Sequence, residues 1–306
     1  MKKRTIWLSG LLVLQLLVST GLLIQGHIAQ SQLPGQPLLN LDISALDRIR
    51  ISDQQTSALL QKHLGQWRLP DLAELPANAV KLTSVLDKLA GLQTGWPVAT
   101  SDSSHSRFEV APDQYQRRVE LYQGDQLVGD LYLGAASGLR QTHLRKAGAE
   151  QVYSAQISQY ELPTKNSEWL DKSLLSAQNI EQIKGNDYLL QKQQGQWHIS
   201  DQADEEADLL LDREKAQKLA GALSALQVLS VADKPVSEEA VSLEVKAGEK
   251  TWRYRFSQAE DRYYVSRDDI KSVFELGKAD FEKITAIQRD NLIVKTQTQE
   301  QPDSSS

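Results

Sequence analysis

The feature that most constrains this chain is that it repeats itself. Displaced by 130 positions, Leu59-Leu60-Gln61-Lys62 falls on Leu189-Leu190-Gln191-Lys192. Gly65-Gln66-Trp67 falls on Gly195-Gln196-Trp197, and Lys88-Leu89-Ala90-Gly91 on Lys218-Leu219-Ala220-Gly221. Across residues 59–91, 14 of the 33 aligned pairs are identical, where ordinary composition gives about two. A period above 100 residues is too long for a solenoid or propeller unit and long enough for a small domain. With a shorter offset, Val119-Glu120-Leu121 and Gly124-Asp125 answer Leu243-Glu244-Val245 and Gly248-Glu249. Val152-Tyr153-Ser154 is matched with Tyr264-Val265-Ser266, and Trp169-Leu170-Asp171-Lys172 with Phe281-Glu282-Lys283.

Each copy reads as strands, a helix, strands and short helices. Leu59–Leu64 with Trp67–Leu69 form a hairpin-like pair around Gly65-Gln66, matched by Tyr188–Lys192 with Trp197–Ile199. Leu82, Val85, Leu86, Leu89 and Leu92 keep helical spacing, as do Ala216, Leu219, Ala220, Leu223 and Leu226. Asp212 is the expected N-cap of the second helix, and each Lys-Leu-Ala-Gly is expected at a helix end. Val241, Leu243 and Val245 alternate with polar residues, as do Trp252, Tyr254 and Phe256, across Gly248-Glu249. Long strands with one polar face argue for antiparallel sheets covered by helices. The expected fold class is therefore α+β: two tandem repeats, each an antiparallel sheet packed with helices, behind an N-terminal transmembrane helix. The boundaries are 1–27 for a cytoplasmic stub and anchor, 28–40 for a linker, 41–175 and 176–293 for the repeats, and 294–306 for a disordered tail.

The anchor follows from charge. Between Arg4 and Asp42 no side chain is formally charged, and Ile6–Ile24 is apolar except at Ser9, Gly10, Gln15, Ser19, Thr20 and Gly21. Nineteen residues at about 1.5 Å each span about 28 Å, the hydrocarbon thickness of a bilayer. A cleaved signal peptide would have a shorter apolar core and an A-x-A-like site. Lys2-Lys3-Arg4 predicts a cytoplasmic N-terminus, with the repeats outside the inner membrane, periplasmic or extracellular. Gln15, Ser19 and Gly26 share one stripe, a candidate docking face for a partner's transmembrane helix.

Several chemistries are excluded. The chain has no cysteine, hence no disulfide, thiolate nucleophile or Cys-based zinc site. Its net charge of −6 becomes −9 without Lys2, Lys3 and Arg4, which disfavours nucleic acid as a partner. No phosphate-binding Gly-Lys-Ser/Thr loop and no G-x-G-x-x-G occurs. Gly134-Ala135-Ala136-Ser137-Gly138 lacks the spacing of a nucleophile elbow and reads as a turn. His27, His63, His105, His143 and His198 show no metal-ligand pairing. The acidic run Asp201–Asp208 lacks a calcium-loop pattern and reads as a solvated loop. Trp67 and Trp197 are expected to anchor the two cores, the alternative being platforms for sugars. No catalytic, cofactor-binding or metal-binding residue is assigned, and the protein is expected not to be an enzyme and to need no cofactor.

A charged stub, one apolar helix and two copies of a strand–Gly-x-Trp–helix–strand module resemble a bacterial family of unknown function. Its members are often encoded beside gliding-motility-type (Gld-like) ABC transporters. Gly65-Gln66-Trp67, Gly195-Gln196-Trp197 and the Lys-Leu-Ala-Gly segments carry the resemblance. It implies an accessory role in the cell envelope, with integral-membrane ABC transporter subunits as partners and the lipid bilayer holding the N-terminal helix. It supplies no catalytic residues. The alternative is a membrane-tethered binding module for cell-wall glycan or a secreted polymer.

Overall fold

The computed structural model describes residues 35–200, 210–233 and 239–294, together with Gln15. The stub, the apolar run apart from Gln15, the acidic run 201–208 and the tail from 295 lie outside the described residues. Among the described residues no helix is long and apolar enough to cross a membrane. The remainder is mostly antiparallel sheet with few helices, in two compact units that divide between Trp169 and Leu170. The sequence boundary after residue 175 is six residues later, and the reason is bonding. Trp169 is fully buried, its carbonyl accepts from Asn78 N at 2.7 Å, and its indole donates to Pro163 O at 2.8 Å.

Unit 1 is built on β1 (Arg48–Ser52), β2 (Ser57–His63), β3 (Gln66–Leu69), β4 (Leu75–Pro76), β5 (Arg117–Gln123), β6 (Gln126–Gly138), β7 (Gln141–Lys146) and β8 (Tyr153–Ala155). Their order across the sheet is β8-β7-β6-β5-β1-β2-β3-β4, every pair antiparallel. Alternation decides the faces. In β1 the isoleucines of Arg48-Ile49-Arg50-Ile51-Ser52 are buried while the arginines stay on the other face. Leu60, Val119, Leu121, Leu131, Leu133 and Leu144 join the buried side. Helix α1 (Ala79–Ala90) buries Leu82, Val85, Leu86 and Leu89, and Asn78 caps it by accepting from Lys81 N at 2.9 Å.

Unit 2 repeats the plan with β9 (Gln182–Lys184), β10 (Leu189–Gln193), β11 (Gln196–Ser200), β12 (Val228–Ala232), β13 (Val241–Ala247), β14 (Lys250–Ala259), β15 (Arg262–Arg267) and β16 (Ile270–Leu276). The order is β11-β10-β9-β13-β14-β15-β16-β12. Seven strands therefore share one order in both units: β3-β2-β1-β5-β6-β7-β8 corresponds to β11-β10-β9-β13-β14-β15-β16. The eighth differs. Unit 1 adds β4 beside β3, whereas unit 2 adds β12 beside β16. In unit 1 the counterpart of β12 shrinks to a bridge between Ala99 and Val152.

Register corrects three expectations. Leu144 pairs with Tyr153 and Val265 with Phe274, so Val152-Tyr153-Ser154 answers Val273-Phe274-Glu275, not Tyr264-Val265-Ser266. The hairpin loops there differ in length, and a short motif match slipped by one strand. The segment Gly134–Gly138 is not a turn but the bulged end of β6, whose ladder with β7 shifts at Ala136. A Cβ at Gly134 would run into the Phe108 carbonyl, so glycine is needed where another segment crosses the strand. Part of the linker is also ordered. Gln36–Pro37 pairs with Gln93–Thr94, and Leu39 is buried.

The Lys-Leu-Ala-Gly segments are not equivalent either. Gly91 caps the end of α1, but α2 (Ser103–Arg107) intervenes before α3 (Arg213–Ser224), and Gly221 lies inside α3. The caps Asn78 and Asp212 and the buried sets Leu82/Val85/Leu86/Leu89 and Ala216/Leu219/Ala220/Leu223 align at a displacement of 134, four residues more than the identities suggest. Both helices run 12 residues, so the four additional residues come before α3 in the chain. Helices α4 (Lys278–Thr285) and α5 (Arg289–Leu292) complete unit 2.

Candidate functional site

The polar face of the unit 1 sheet carries the densest set of charged and aromatic side chains that unit 2 does not share. Cross-strand register builds it. Ser52, Arg118, Tyr132 and Arg145 stand in one row across β1, β5, β6 and β7, and Arg50, Glu120 and Asp130 in the next. Arg118 grips Asp130 with two parallel bonds, Nε to Oδ1 at 3.0 Å and Nη2 to Oδ2 at 2.8 Å, with Glu120 at 3.4 Å. The hydrogen bonds it donates to Asp130 raise the Arg118 pKa against the opposing effect of burial, so the guanidinium is a permanent cation. Tyr132 lies between two guanidinium groups, Arg145 at 4.9 Å and Arg118 at 5.4 Å from its ring centre. Burial pushes the Tyr132 phenol up. At one end of the face Arg48 stacks 4.4 Å over Tyr122, whose hydroxyl donates to Glu120 at 3.1 Å.

Arg145 is the unusual member. It is 4 % exposed and no carboxylate bonds to it. Its Nε donates to Val110 O at 2.8 Å and its Nη1 to Ala149 O at 3.1 Å, while Nη2 is buried without a partner. Burial lowers its pKa. What covers it is the segment 100–116, comprising α2 and the small hairpin Val110–Ala111/Gln114–Tyr115. That segment makes a second apolar cluster with the sheet: Val110, Tyr132 and Val152, flanked by Phe108, Tyr115, Ala99 and Ala147.

Unit 2 keeps only a remnant of this arrangement. Register places Ser242, Arg255 and Ser266 where unit 1 has Arg118, Tyr132 and Arg145, and an Arg253–Glu244 pair at 3.6 Å remains. Its buried arginine is elsewhere. Arg267 is clamped by Asp269 at 2.6 and 3.0 Å and shares the Tyr254 hydroxyl at 3.3 Å, itself donated to Leu175 O at 2.7 Å.

The residues singled out from sequence fall apart in space or out of view. Gln15 is helical and exposed, and Ser19 and Gly26 lie outside the described residues. Trp197 is 5 % exposed and donates to Gln217 Oε1 at 3.3 Å, as a core anchor does, whereas Trp67 is only half-buried. Both carry the cross-strand lysine of their hairpin, Lys62 and Lys192, at 5.9 Å from the ring centre. His105 reaches Glu150 O at 2.8 Å, His143 lies 4.4 Å from the Phe108 ring, and His63 and His198 occupy hairpin strands. Among the described residues no group of three or more His, Cys, Asp or Glu side chains could hold a metal ion. Sequence reasoning passed over Arg118, Tyr132 and Arg145. The alternation Arg118-Val119-Glu120-Leu121-Tyr122 marks a polar face, but nothing local says that an inserted segment will bury it.

The model of a family described as Domain of unknown function (DUF4340) matches residues 67–245, more than half of the chain. No curated protein and no solved structure matches the sequence.

Proposed function

This chain belongs to the DUF4340 family, and from that premise we propose that it is a non-enzymatic, membrane-anchored envelope protein serving as an accessory subunit of an ABC-type export or gliding-motility-like transport complex. The observation that carries the reading is the uncharged run Ile6–Ile24 behind Lys2-Lys3-Arg4, ahead of two repeated units. The run is long enough to hold the chain in a bilayer and the basic stub orients it. The two sheet units then stand outside the inner membrane, offering clamped polar faces suited to gripping a protein or its cargo. Within the bilayer, Gln15, Ser19 and Gly26 face the transporter's helices.

Affinity purification of the full chain from native membranes in mild detergent, followed by mass spectrometry, should recover integral-membrane transporter subunits. Replacing Gln15 and Ser19 with leucine should reduce that recovery. Purification of the chain alone would refute the accessory role, and retention of the chain by peptidoglycan would favour a glycan-binding module instead. Protease added to intact spheroplasts should remove both units; survival of the units until lysis would refute the orientation.

A further inference from the structure

The stretch between the end of the bridge at Ala99 and the start of β5 is the largest difference between the two sheet plans. In unit 2 the residues after the helix form the edge strand β12 beside β16; in unit 1 residues 100–116 fold back over the polar face. The underside of this excursion is apolar, yet it traps polar atoms at a cost. His143 Nδ1 and Arg145 Nη2 are both buried without hydrogen-bond partners, and a buried polar atom that makes no bond forfeits its hydration with nothing in return. His143 projects from β7 against Phe108 of the excursion, ring centres 4.4 Å apart, and Arg107 covers the same phenyl ring at 4.5 Å. Backbone bonds from Ala135 N to Phe108 O at 3.0 Å and from Gln116 N to Leu133 O at 2.9 Å hold the crossing.

We propose that residues 100–116 form a flap that is closed over Tyr132 and Arg145 at neutral pH and opens as the pH falls, with His143 as the titrating latch. Arg107 is the charged group that faces the imidazole from the flap. Glu109 is engaged by Gln116 at 2.7 Å, and the flap's own His105 is turned to Glu150 O with Asp102 3.8 Å from its Nδ1. The neighbouring strands bring Ser137 and Ser154, bonded to each other at 2.6 Å, and Arg145 follows on β7 itself. Among the described residues no carboxylate is paired with His143, so an imidazolium formed there would meet desolvation and a like charge together.

Burial first, and Arg107 second, hold the His143 pKa below its ordinary value. A base depressed in the closed state binds its proton more readily when the flap is open. Closure is therefore complete above the open-state value of about 6.5 and weakens as pH falls below it, by up to about tenfold in open population per unit of depression.

Amide hydrogen exchange of the full chain at pH 7.5 and 5.5, corrected for intrinsic rates, tests this. Peptides covering 100–116 should lose protection several-fold at the lower pH, while those of α1 hold theirs. His143→Phe, which keeps the ring and cannot titrate, should abolish the difference; His143→Gln serves if the phenylalanine variant does not fold. Equal protection at both pH values in the wild type would overturn the proposal. So would a pH dependence that survives in the His143 variants but disappears in His105→Gln.

Discussion

Gly221 separates two readings of the same four letters. If Lys218-Leu219-Ala220-Gly221 ended its helix, as its match at residues 88–91 does, Gly221 would be a cap like Gly91, which takes φ −77° and where a Cβ would stand 3.2 Å from the Asp87 carbonyl oxygen. Alanine there would then gain nothing, because a cap lies outside the helix interior and the crowded carbonyl would have to give way. In the structure the helix runs on to Ser224, Gly221 O accepts from Ala225 N at 2.9 Å, and the glycine is exposed. A Cβ built there meets nothing within 4 Å, so neither clash nor new packing enters the sum. What remains is the intrinsic penalty of glycine inside a helix, so Gly221→Ala should stabilise unit 2 by about 0.5–1 kcal/mol. For a unit of this size that is a rise of about 2–4 °C in its melting temperature. Thermal unfolding followed by circular dichroism on the purified full chain reads the sign directly. Gly195→Ala is the internal contrast: at φ +82° in the Gln194-Gly195 turn, alanine should lower stability by about 1 kcal/mol. A fall in melting temperature for Gly221→Ala, or no change, would refute the four-residue displacement of the helix and the cap pairing on which it rests.

Two further outcomes follow from burial and bonding. Trp197→Ala should cost about 3–5 kcal/mol by chemical denaturation, and Trp67→Ala clearly less, because only the former ring is enclosed; equal losses would mean that the two hairpins pack alike. Burial pushes the Asp53 carboxyl up, but hydrogen bonds from Gln55 N, Thr56 N and the Thr164 hydroxyl at 2.8, 2.7 and 2.9 Å outweigh it and hold the pKa below its ordinary value. A depressed carboxylate stabilises the fold fully above its unfolded value of about 3.9 and loses that contribution as pH falls through the folded one. Denaturation midpoints at pH 7 and pH 3 should therefore converge between wild type and Asp53→Asn at the acidic end, and a constant difference would contradict the assignment.

The hairpins and helices were legible because their determinants are local. Leu64-Gly65 and Gln194-Gly195 both take positive φ, +48° and +82° against +49° and +82°, as a two-residue hairpin turn requires, one residue ahead of the expected Gly65-Gln66. Period and capping located α1 and α3, with Asp212 accepting from Lys215 N at 3.2 Å as expected. What could not be read was anything set by pairing at a distance. The slip of Val152–Ser154 by one strand and the turn wrongly placed at Gly134–Gly138 both arise where β7 and β8 meet segments far along the chain. A three-residue identity carries no information about loop length, and a glycine demanded by a crossing backbone resembles one demanded by a turn. The candidate face was illegible for the same reason: Arg145 lies in an ordinary strand pattern, and only the fold-back of residues 100–116 buries it.

That fold-back also says where the two copies diverged. Seven strands in a common order, with matched helix caps, are what each sheet needs to cover one face, and the identities at Leu59–Lys62 and Gly65–Trp67 fall in one hairpin of that set. The stretch that follows the helix is under no such demand, because the seven-strand order is complete with or without it. Unit 2 uses it as the edge strand Val228–Ala232, satisfying β16. Unit 1 leaves β8 with a single bridge at Val152 and carries the chain across the polar face instead. An edge strand adds backbone bonds at little cost, whereas the crossing buries an arginine without a carboxylate and a histidine nitrogen without a partner. The crossing therefore rests on side-chain packing where unit 2 rests on a backbone ladder, so substitutions on the covered face of unit 1, rather than in the shared Gly-Gln-Trp hairpins, are the ones that should affect one unit and have no equivalent in the other.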